Sequence, residues 1–447
     1  MIDIRLIRQD PERFKRGAQA KRIACDIDEL LALDDRRRAA QTELDRLKHE
    51  QNETGAQIAN YRNPRSRYFQ AALASGRTEA DLKAEADALV ERMTAIKNRV
   101  RELEEESRAV TERFEAAMLR VPQPPGDEVP IGRDETENVE IRRVGEVPKF
   151  DFAFKDHVTL MTDAGMLDIE RGVKLAGSRN YVLRGDGLLL HQAVLRLALD
   201  TMRARGFVPM GVPVLVLDAM MVGTGYYPGG EEQAYRCERD GMSLVGTAEV
   251  PLTAYHGDEV LAEDELPKKY VALSPCFRRE AGAAGKDTYG LYRIHAFEKV
   301  EQVIICRNDE QESIRHHAEI VANSEAVLAA LELPYRVVNV CSGDLGQGQV
   351  QKFDIETWMP SRGGYGETHS ASRFHEFQAR RLKLRYRDRA RNMLYCHTLN
   401  NTVIASPRIL IPLVENHQTA DGRIRVPAAL RPYLDGRESV GGPEVRT

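Results

Sequence analysis

Two stretches near the start of the chain carry apolar residues at alternating spacings of three and four, and no other feature restricts the fold as strongly. The first seam consists of Leu30, Leu33, Ala40, Leu44, Leu47 and Ile58, with polar Arg37, Gln51 and Thr54 at intervening positions. The second is more regular: Leu82, Ala86, Leu89, Met93, Ile96, Val100, Leu103, Ser107, Val110, Phe114 and Ala117. Because sustained heptads with charged residues elsewhere are typical of coiled coils, we predict helices over residues 28–60 and 78–118. They should fold back as an antiparallel hairpin, the arm, within residues 1–120.

The segment between the two helices, residues 61–77, is the tip of the arm and is both basic and aromatic. Its candidate RNA contacts are Arg62, Arg65, Arg67 and Arg77, beside Tyr61, Tyr68 and Phe69. Arginines pair with phosphates and aromatic rings stack on unpaired bases, so the tip is a candidate tRNA-binding surface. A coiled-coil hairpin alone is more often a dimerisation or scaffold device, and that alternative stays open at this point.

Charge and cysteine content restrict the class of protein. The 447 residues carry 64 Lys and Arg against 69 Asp and Glu, a formal net charge of -5, so RNA binding must come from local patches. The six cysteines are scattered with no closely spaced pair, which argues against a zinc site or disulfides and fits a reducing, cytoplasmic setting. The N-terminal residues are charged throughout, and no apolar run is long enough to span a membrane.

Residues 275–301 predict a strand, a loop rich in Gly and Ala, and a second strand. Alternation places one set of side chains on a common face, namely Arg278, Glu280, Arg293, His295, Phe297, Lys299 and Glu301. Guanidinium groups bind phosphates, a Phe ring can stack on a purine, and carboxylates accept from an amine or ammonium group. The pattern therefore predicts a site for ATP and an amino acid, against the alternative of a hairpin with an ordinary charged face.

The same residues, FRREAGAAGKDTYGLYRIHAFEKVE (277–301), resemble motif 2 of class II aminoacyl-tRNA synthetases in the form found in seryl-tRNA synthetases. The resemblance extends from residue 1 to about residue 434. It implies an α+β fold: the arm, a linker at 121–150, and a class II catalytic domain at 151–435. That domain is built on a mixed, mainly antiparallel β-sheet flanked by helices. Residues 436–447 are expected to be a disordered tail.

Motif 2 of the family implies roles for individual residues. Arg278 would hold the ATP α-phosphate and the attacking carboxylate, and Arg293 an outer phosphate. Arg278, Arg293 and Arg408 would be the catalytic residues. The ATP-binding residues of this motif would be Arg278, Arg279, Glu280, Arg293, Ile294 and Phe297. Glu301 would accept the serine hydroxyl or ammonium. Lys286 would contact the tRNA acceptor end, whereas Tyr289 stands where the family commonly has a second basic residue.

Other segments resemble further family motifs. The helix at 188–205, which stops at Gly206, and the strand after it resemble motif 1, the dimer interface, and imply a homodimer. Residues 247–249 (Thr247, Ala248 and Glu249) match the serine-binding loop. The serine-contacting positions of motif 3 are Asn400 and Thr402, and Arg408 would hold the γ-phosphate, although Ser406-Pro407 replaces the usual glycines before it. Further ATP-binding positions are Glu367, Thr368, His369 and Ser370.

Glu367 and Ser370 match the family's Mg²⁺ ligands, and hard oxygen ligands suit this ion. His369 stands where Ser is usual and is expected to be a structural hydrogen-bonding residue. No zinc is expected.

The resemblance implies a serine–tRNA ligase that activates serine with ATP and transfers it to tRNA(Ser) in the cytoplasm, away from any membrane; whether tRNA(Sec) is also charged stays open. The alternatives are a paralogue with a non-tRNA acceptor, an antibiotic-tolerant duplicate, and a non-enzymatic RNA-binding protein. The intact Arg278, Glu280 and Arg408 and the presence of the arm favour the ligase.

Overall fold

The structure, a computed structural model, describes residues 1–282 and 288–442. The chain forms two compact units. The arm spans Cys25–Val121, and the second unit, called the body below, consists of Met1–Ala24 together with Pro122–Thr447.

Helices and strands are numbered here in chain order. The helices are α1 (Ile4–Gln9), α2 (Pro11–Ala20), α3 (Ile27–Arg62), α4 (Arg67–Ala74), α5 (Glu79–Arg120), α6 (His157–Asp163), α7 (Ile169–Ala176), α8 (Asp186–Ala204), α9 (Asp218–Thr224), α10 (Glu249–Ala254), α11 (Glu310–Ala330), α12 (Phe377–Leu382) and α13 (Leu410–Asn416). The strands are β1 (Val139–Val144), β2 (Leu167–Asp168), β3 (Val182–Leu183), β4 (Val208–Pro209), β5 (Leu215–Leu217), β6 (Arg236–Cys237), β7 (Met242–Leu244), β8 (Val260–Ala262), β9 (Lys268–Phe277), β10 (Ala296–Cys306), β11 (Tyr335–Asn339), β12 (Gln351–Met359), β13 (Gly364–Arg373), β14 (Arg385–Arg387), β15 (Met393–Tyr395), β16 (His397–Ser406), β17 (Arg423–Arg425) and β18 (Ser439–Gly441).

The arm is an antiparallel hairpin of α3 and α5. Its seam is formed by the apolar residues of the heptads, including a buried cluster of Ala40, Leu44, Leu47, Ile96, Val100 and Leu103. Ion pairs cross the hairpin in antiparallel order, with Glu29 joined to Arg113 at 3.0 Å and Lys48 joined to Glu104 at 2.8 Å. Thr78 and Asp81 form a capping box that starts α5, which satisfies backbone N–H groups at the helix end. The tip contains the short helix α4.

The body is organised around an eight-stranded sheet in the order β1-β11-β12-β13-β16-β10-β9-β4. Neighbouring strands pair antiparallel, apart from the parallel pair β4–β9. Buried apolar residues of α8 and α11, such as Val194, Met202 and Val321, pack with sheet residues in one large core. The predicted α+β class, with a mixed and mainly antiparallel sheet flanked by helices, is confirmed.

Several predicted boundaries differ from the structure. Met1–Ala24 belongs to the body and not to the arm, because Lys21 in the turn after α2 donates to the carbonyl oxygens of Gly346 and Gln347 at 2.9 and 3.1 Å. The expected linker at 121–150 contains β1, which pairs with β11 at the sheet edge. The expected disordered tail is wrong for Ser439–Gly441, because β18 pairs with β17 and buries Val440.

Helices long and apolar enough to cross a membrane were not found in the described part of the chain.

Candidate active site

A cavity opens over the strands β10, β13 and β16, and it collects side chains that are far apart in sequence. We call it the main cavity. Of the predicted site residues, it is lined by Glu249, Arg278, Glu280, Ile294, Phe297, Glu301, Glu367, Thr368, Ser370, Asn400, Thr402 and Arg408. A second cavity, the side cavity, adjoins it: both are lined by Arg278 and Glu280, and Arg293 lines the side cavity alone. One region of the sheet therefore assembles residues from three separate sequence motifs.

Arginines gather at one end of the main cavity. The Arg278 guanidinium lies 5.3 Å from the Phe297 ring centroid. Arg408 donates through Nε to the Tyr292 carbonyl at 3.0 Å, and its Nη1 lies 3.9 Å from the Glu367 carboxylate. Burial opposes ionisation of Glu367, but Arg408, Lys352 and Arg278, with Arg293, outweigh it and hold the pKa of this carboxyl below its ordinary value. The positive charge of these arginines therefore favours the binding of an anion at this end of the cavity.

Glu280 and Arg293 connect the two sides of the motif 2 hairpin. Glu280 follows the end of β9 with a φ of 51°, a backbone conformation that costs free energy for a residue other than glycine. Its buried carboxylate accepts from Nη1 of Arg293 at 2.7 Å. The unusual backbone thus turns the carboxylate into the space shared by the two cavities, where Arg293 fixes its direction.

A buried carboxylate, Glu249, marks the other end of the main cavity. It accepts hydrogen bonds from the Tyr226 hydroxyl at 2.7 Å and from Nε2 of Gln378 at 2.8 Å, and Thr398 in turn donates to Gln378 at 2.6 Å. Burial and, next, the charge of Glu301 raise the pKa of Glu249 to about 7. An ammonium group entering this end would meet a carboxylate that is held in place and short of a cationic partner.

Glu301 lies on the floor of the same end, on β10. It is opposite Thr402 in the pairing of β10 with β16, and Val303 is opposite Asn400, so the three polar residues lie together. The Glu301 carboxylate pairs with the buried ammonium of Lys299. Within the described residues, Nδ2 of buried Asn400 lacks a hydrogen-bond partner. Because an unpaired buried polar group is costly, this atom indicates that a ligand completes the site.

A β-bulge explains how Glu367, Thr368 and Ser370 can all reach the main cavity. The register between β12 and β13 shifts so that Ile355 pairs with His369 while the next residue pairs with Glu367, which leaves Thr368 as the extra residue. The bulge interrupts the strict alternation of side chains along β13. As a result, Glu367 and Ser370 share a face although they are three residues apart.

Glu367, Thr368 and Ser370 all offer side-chain oxygen atoms to this part of the cavity. Behind Ser370, its neighbour across the strands, Asp354, is buried, and Oδ1 of Asp354 has no hydrogen-bond partner among the described residues. Within residues 1–282 and 288–442, no group of three or more His, Cys, Asp and Glu side chains could enclose a metal ion alone. A metal held here would take few protein ligands, which fits a Mg²⁺ ion that keeps its remaining bonds for water and phosphate.

Some predicted site residues lie outside both cavities. His369 packs away from the site because its ring bonds to the Thr368 hydroxyl at 2.8 Å and the Val403 carbonyl at 3.0 Å, and burial lowers its pKa to about 4. Its side chain is therefore structural, contrary to its placement among the ATP-binding residues. Arg279 is exposed outside the cavities, and Lys286 lies outside the described residues.

Of the three residues in the predicted serine loop, Glu249 lines the main cavity, and Thr247 and Ala248 line neither cavity. Thr247 accepts from the Glu249 backbone N–H at 3.1 Å, and Ala248 is buried in an apolar cluster, so both shape the start of α10 and do not line the cavities. Tyr289 donates to Asp156 at 3.0 Å. Arg408 lines the cavity as predicted, but it lies in the turn just before α13 and not within the helix.

Besides Lys299, seven further residues line the main cavity without having been predicted to do so: Tyr226, Leu291, Tyr292, Gln349, Ser372, Ala405 and Ser406. Tyr226 lies about fifty residues before motif 2 in a segment rich in Gly and Pro, where neither helical nor strand periodicity gives a signal. Lys299 also lines the cavity. The strand alternation placed it on the correct face but assigned it no role.

At the tip of the arm, two of the four predicted arginines form ion pairs within the described residues and the other two do not. Arg62 pairs with Asp87 at 2.9 Å, and Arg77 pairs with Glu85 and donates to the Tyr68 hydroxyl at 3.2 Å. Arg65 and Arg67 are exposed, and no carboxylate in the described part of the chain pairs with them. Their guanidinium groups are the ones available to an RNA backbone.

Comparison with known proteins decides the family. The family model described as "Seryl-tRNA synthetase N-terminal domain" matches residues 1–125, and "tRNA synthetase class II core domain (G, H, P, S and T)" matches residues 235–417. The chain is 44% identical over 443 residues to the serine–tRNA ligase of Deinococcus radiodurans, which covers 99% of this chain and 100% of that protein. The chain belongs to the seryl-tRNA synthetase family. The resemblance stated from its motifs is thereby confirmed.

Solved structures of seryl-tRNA synthetases share the whole architecture. The enzyme of Pyrococcus horikoshii, complexed with ATP, is 35% identical and matches with a TM-score of 0.85, covering 99% of this chain and 100% of that chain. The cytoplasmic serine–tRNA ligase of Naegleria fowleri, in complex with AMP, is 31% identical with a TM-score of 0.82, and 99% of each chain is covered. Both the arm and the body therefore have counterparts in these two structures.

Proposed function

We propose that this chain is a serine–tRNA ligase that activates L-serine with ATP, releases pyrophosphate, and transfers the seryl group from seryl-adenylate to the 3′ end of tRNA(Ser). The observation that carries this proposal is the polarity of the main cavity. Among its lining residues, Arg278 and Arg408 both act on the Glu367 carboxylate, whereas Glu249 and Glu301 are buried and act on each other. A molecule that joins a phosphate to an amino acid fits this arrangement end to end.

ATP would occupy the arginine end. Arg278 would bind the α-phosphate and the serine carboxylate, Arg408 the γ-phosphate, and Arg293 an outer phosphate. Phe297 offers its ring to the adenine, with Arg278 as a cation beside it at 5.3 Å, and Glu280 can accept from the exocyclic amine. Arg293 is bonded to Glu280 in this structure, so it would exchange this partner for phosphate when ATP binds.

Serine would occupy the carboxylate end. Its ammonium group would lie against Glu249, and its hydroxyl would reach Glu301 and Thr402, with Asn400 supplying the unpartnered amide. The chemistry needs neither a protein nucleophile nor a general base, because the serine carboxylate itself attacks the α-phosphorus in line with the departing pyrophosphate. Arg278 and Arg408, held in place by the fold, stabilise the charge that develops on the phosphate oxygens.

Magnesium would be held by Glu367 and Ser370 together with the phosphates of ATP. The hard oxygen donors on one face of β13 fit this ion. When bound, Mg²⁺ neutralises charge on the outer phosphates. Glu367 remains ionised for this role because Arg408, Lys352 and Arg278 lower the pKa of its carboxyl against the effect of burial.

The enzyme would work as a cytoplasmic homodimer. In support of a dimer, the segment that resembles motif 1 exposes apolar side chains on α8, β4 and β5, namely Leu188, Leu189, Val208, Leu215 and Leu217. A row of exposed apolar residues on one stretch of chain is typical of an interface. The six cysteines are free thiols, in accord with a reducing compartment.

The arm would bind the tRNA through its tip, which gives the first testable prediction. Changing both Arg65 and Arg67 to Ala should lower kcat/KM for tRNA by about tenfold or more. It should also reduce the slope of log K for tRNA binding, plotted against the logarithm of the salt concentration, by about two. Serine-dependent pyrophosphate exchange should stay unchanged, because the activation site lies in the body. Aminoacylation kinetics at several salt concentrations measure both effects.

A matched control for the tip variant is available on the same surface. Arg62 already pairs with Asp87, so Arg62→Ala should have a smaller effect than the double change. An equal loss of tRNA charging in Arg62→Ala, or no loss in the Arg65 and Arg67 variant, would contradict the assignment of free guanidinium groups to RNA binding.

The raised pKa of Glu249 predicts a pH dependence of serine activation. The ammonium group of serine requires the ionised carboxylate, and with a pKa of about 7 the ionised fraction rises about tenfold between pH 6 and pH 8. The value of kcat/KM for serine should therefore increase through this range and level off above it. Pyrophosphate exchange between pH 6 and pH 8.5 measures the profile. Glu249→Gln should remove this acid limb, and its persistence in the variant would assign it to another group.

A further inference from the structure

Lys299 is a buried cation beside Glu301, at the end of the main cavity proposed to bind serine (the serine end). No step of the reaction proposed above uses it. It lies on β10 two residues before Glu301, only 5% exposed, and Glu301 is only 2% exposed. Burying an ammonium group is costly unless it is paired and hydrogen-bonded. A lysine in such a position therefore needs a specific set of partners to be retained.

The partners of Lys299 are the two side chains proposed to read the serine hydroxyl. Its ammonium group pairs with the Glu301 carboxylate on the same strand. The same Nζ atom lies 3.5 Å from the hydroxyl of Thr402, on the neighbouring strand β16. Since Glu301 and Thr402 are directly opposite each other in the pairing of the two strands, a single cation contacts both.

When both carboxylates at this end are ionised, a substrate ammonium balances the charges. Glu249 and Glu301 supply two buried carboxylates, and Lys299 supplies one positive charge. Of the arginines in the same cavity, Arg278 lies over the Phe297 ring and donates through Nε to the Gly246 carbonyl at 3.4 Å, and Arg408 is held by Tyr292 and beside Glu367. With Lys299 paired to Glu301, Glu249 is left for the incoming ammonium, because its other partners, Tyr226 and Gln378, donate neutral hydrogen bonds.

We propose that Lys299 is a positioning residue for serine recognition, which fixes Glu301 and Thr402 to receive the substrate hydroxyl and reserves Glu249 for the substrate ammonium. This inference rests on the proposed function of the cavity. Lys299 need not touch serine, because its ammonium is already used by Glu301 and Thr402. It acts through these two residues and through the charge that it places beside Glu249.

The test uses the full-length protein with Lys299→Met, which removes the charge and keeps a side chain of similar length. In serine-dependent pyrophosphate exchange, KM for serine should rise by about tenfold or more, while KM for ATP stays within about twofold. Discrimination between serine and alanine should fall by about tenfold, because Glu301 and Thr402 are no longer held for a hydroxyl. The acid limb of the pH profile should move to higher pH, because the Lys299 charge lowers the pKa of Glu249 in the native protein.

Lys299→Arg keeps the positive charge but changes its position. It is also the variant to measure if Lys299→Met fails to fold. It should raise KM for serine because the larger head group displaces Glu301, yet leave the pH profile where it is in the native protein because the charge remains. Lys352→Met is the matched control for losing a largely buried lysine: Lys352 lies near Asp344 and Asp354, away from the serine end, so serine-over-alanine discrimination should be unchanged.

The outcomes distinguish this inference from the proposed function. Native protein without serine-dependent exchange would refute the function of the cavity. Native exchange, combined with unchanged KM for serine and unchanged discrimination in Lys299→Met, would overturn the positioning role. Equal increases in KM for serine and for ATP, or the same loss of discrimination in Lys352→Met, would also overturn it, since both would indicate general damage to the fold.

Discussion

Changing Arg278 to Ala is expected to lower the rate of serine-dependent pyrophosphate exchange by about 10³-fold. Arg278 lines both cavities, lies beside Phe297, and is the guanidinium proposed to bind the α-phosphate where charge develops during attack. Removing one preorganised donor from such a position costs about 10²–10³-fold in rate, and removing an arginine from a phosphoryl-transfer site about 10³–10⁵-fold. The loss should appear mainly in kcat, because the interaction is strongest in the transition state.

Arg279 provides a control that differs by a single position. Its side chain is exposed and lines neither cavity, so Arg279→Ala should retain exchange within about threefold of the native rate, as expected of a surface substitution. If the Arg279 variant lost activity to the same degree as the Arg278 variant, the loss would reflect the hairpin as a whole and the assigned role of Arg278 would be wrong.

Replacing Glu301 should abolish serine activation together with the preference for serine. In Glu301→Gln the shape is kept, but Lys299 loses its ionised partner and the serine hydroxyl meets a neutral amide in place of a carboxylate acceptor. A site built to hydrogen-bond a hydroxyl rejects a ligand without it by about 10⁴-fold, because buried groups are left unpaired, so damage to that site should cost roughly 10³-fold in kcat/KM for serine. The same pyrophosphate exchange assay, with serine and alanine compared, measures both effects.

Glu298 is the matched control for Glu301. It lies on the same strand, pairs with His191 at 2.7 Å, and does not line the main cavity. Glu298→Gln should therefore leave the preference for serine intact. Unchanged exchange in Glu301→Gln or Glu301→Ala would refute the serine-binding role, and equal losses in the Glu298 and Glu301 variants would assign the effect to the stability of β10.

Much of the fold was predictable because its signals are local. The heptads require a helical hairpin whatever its surroundings, and the observed helices Ile27–Arg62 and Glu79–Arg120 follow them within a few residues. Likewise, β9 and β10 flank the Gly- and Ala-rich loop, although β9 ends at Phe277 and β10 begins at Ala296, so the predicted strand residues Arg278, Glu280, Arg293 and His295 lie outside the strands. The strand β18 was missed because a short segment rich in Gly has no periodicity of its own, and only its partner β17 stabilises it.

Fewer features of the site could be predicted, because its assembly depends on strand register and on contacts between segments that are far apart in sequence. Strict alternation cannot place Glu367 and Ser370 on one face, and the bulge at Thr368 that does so is set by pairing with β12. The same bulge turns His369 into the core. Tyr226 and Gln378 hold Glu249 from segments on either side of motif 2 in sequence, and no pattern in the sequence connects them.

The most direct measurement is charging of unfractionated tRNA with labelled serine, in the presence of ATP and Mg²⁺, by the native protein. The account predicts ATP-dependent incorporation of serine, accompanied by AMP and pyrophosphate, and much weaker incorporation of threonine or alanine. Serine-dependent pyrophosphate exchange without incorporation into tRNA would contradict the proposed acceptor. Absence of both reactions would contradict the central claim that the main cavity activates serine.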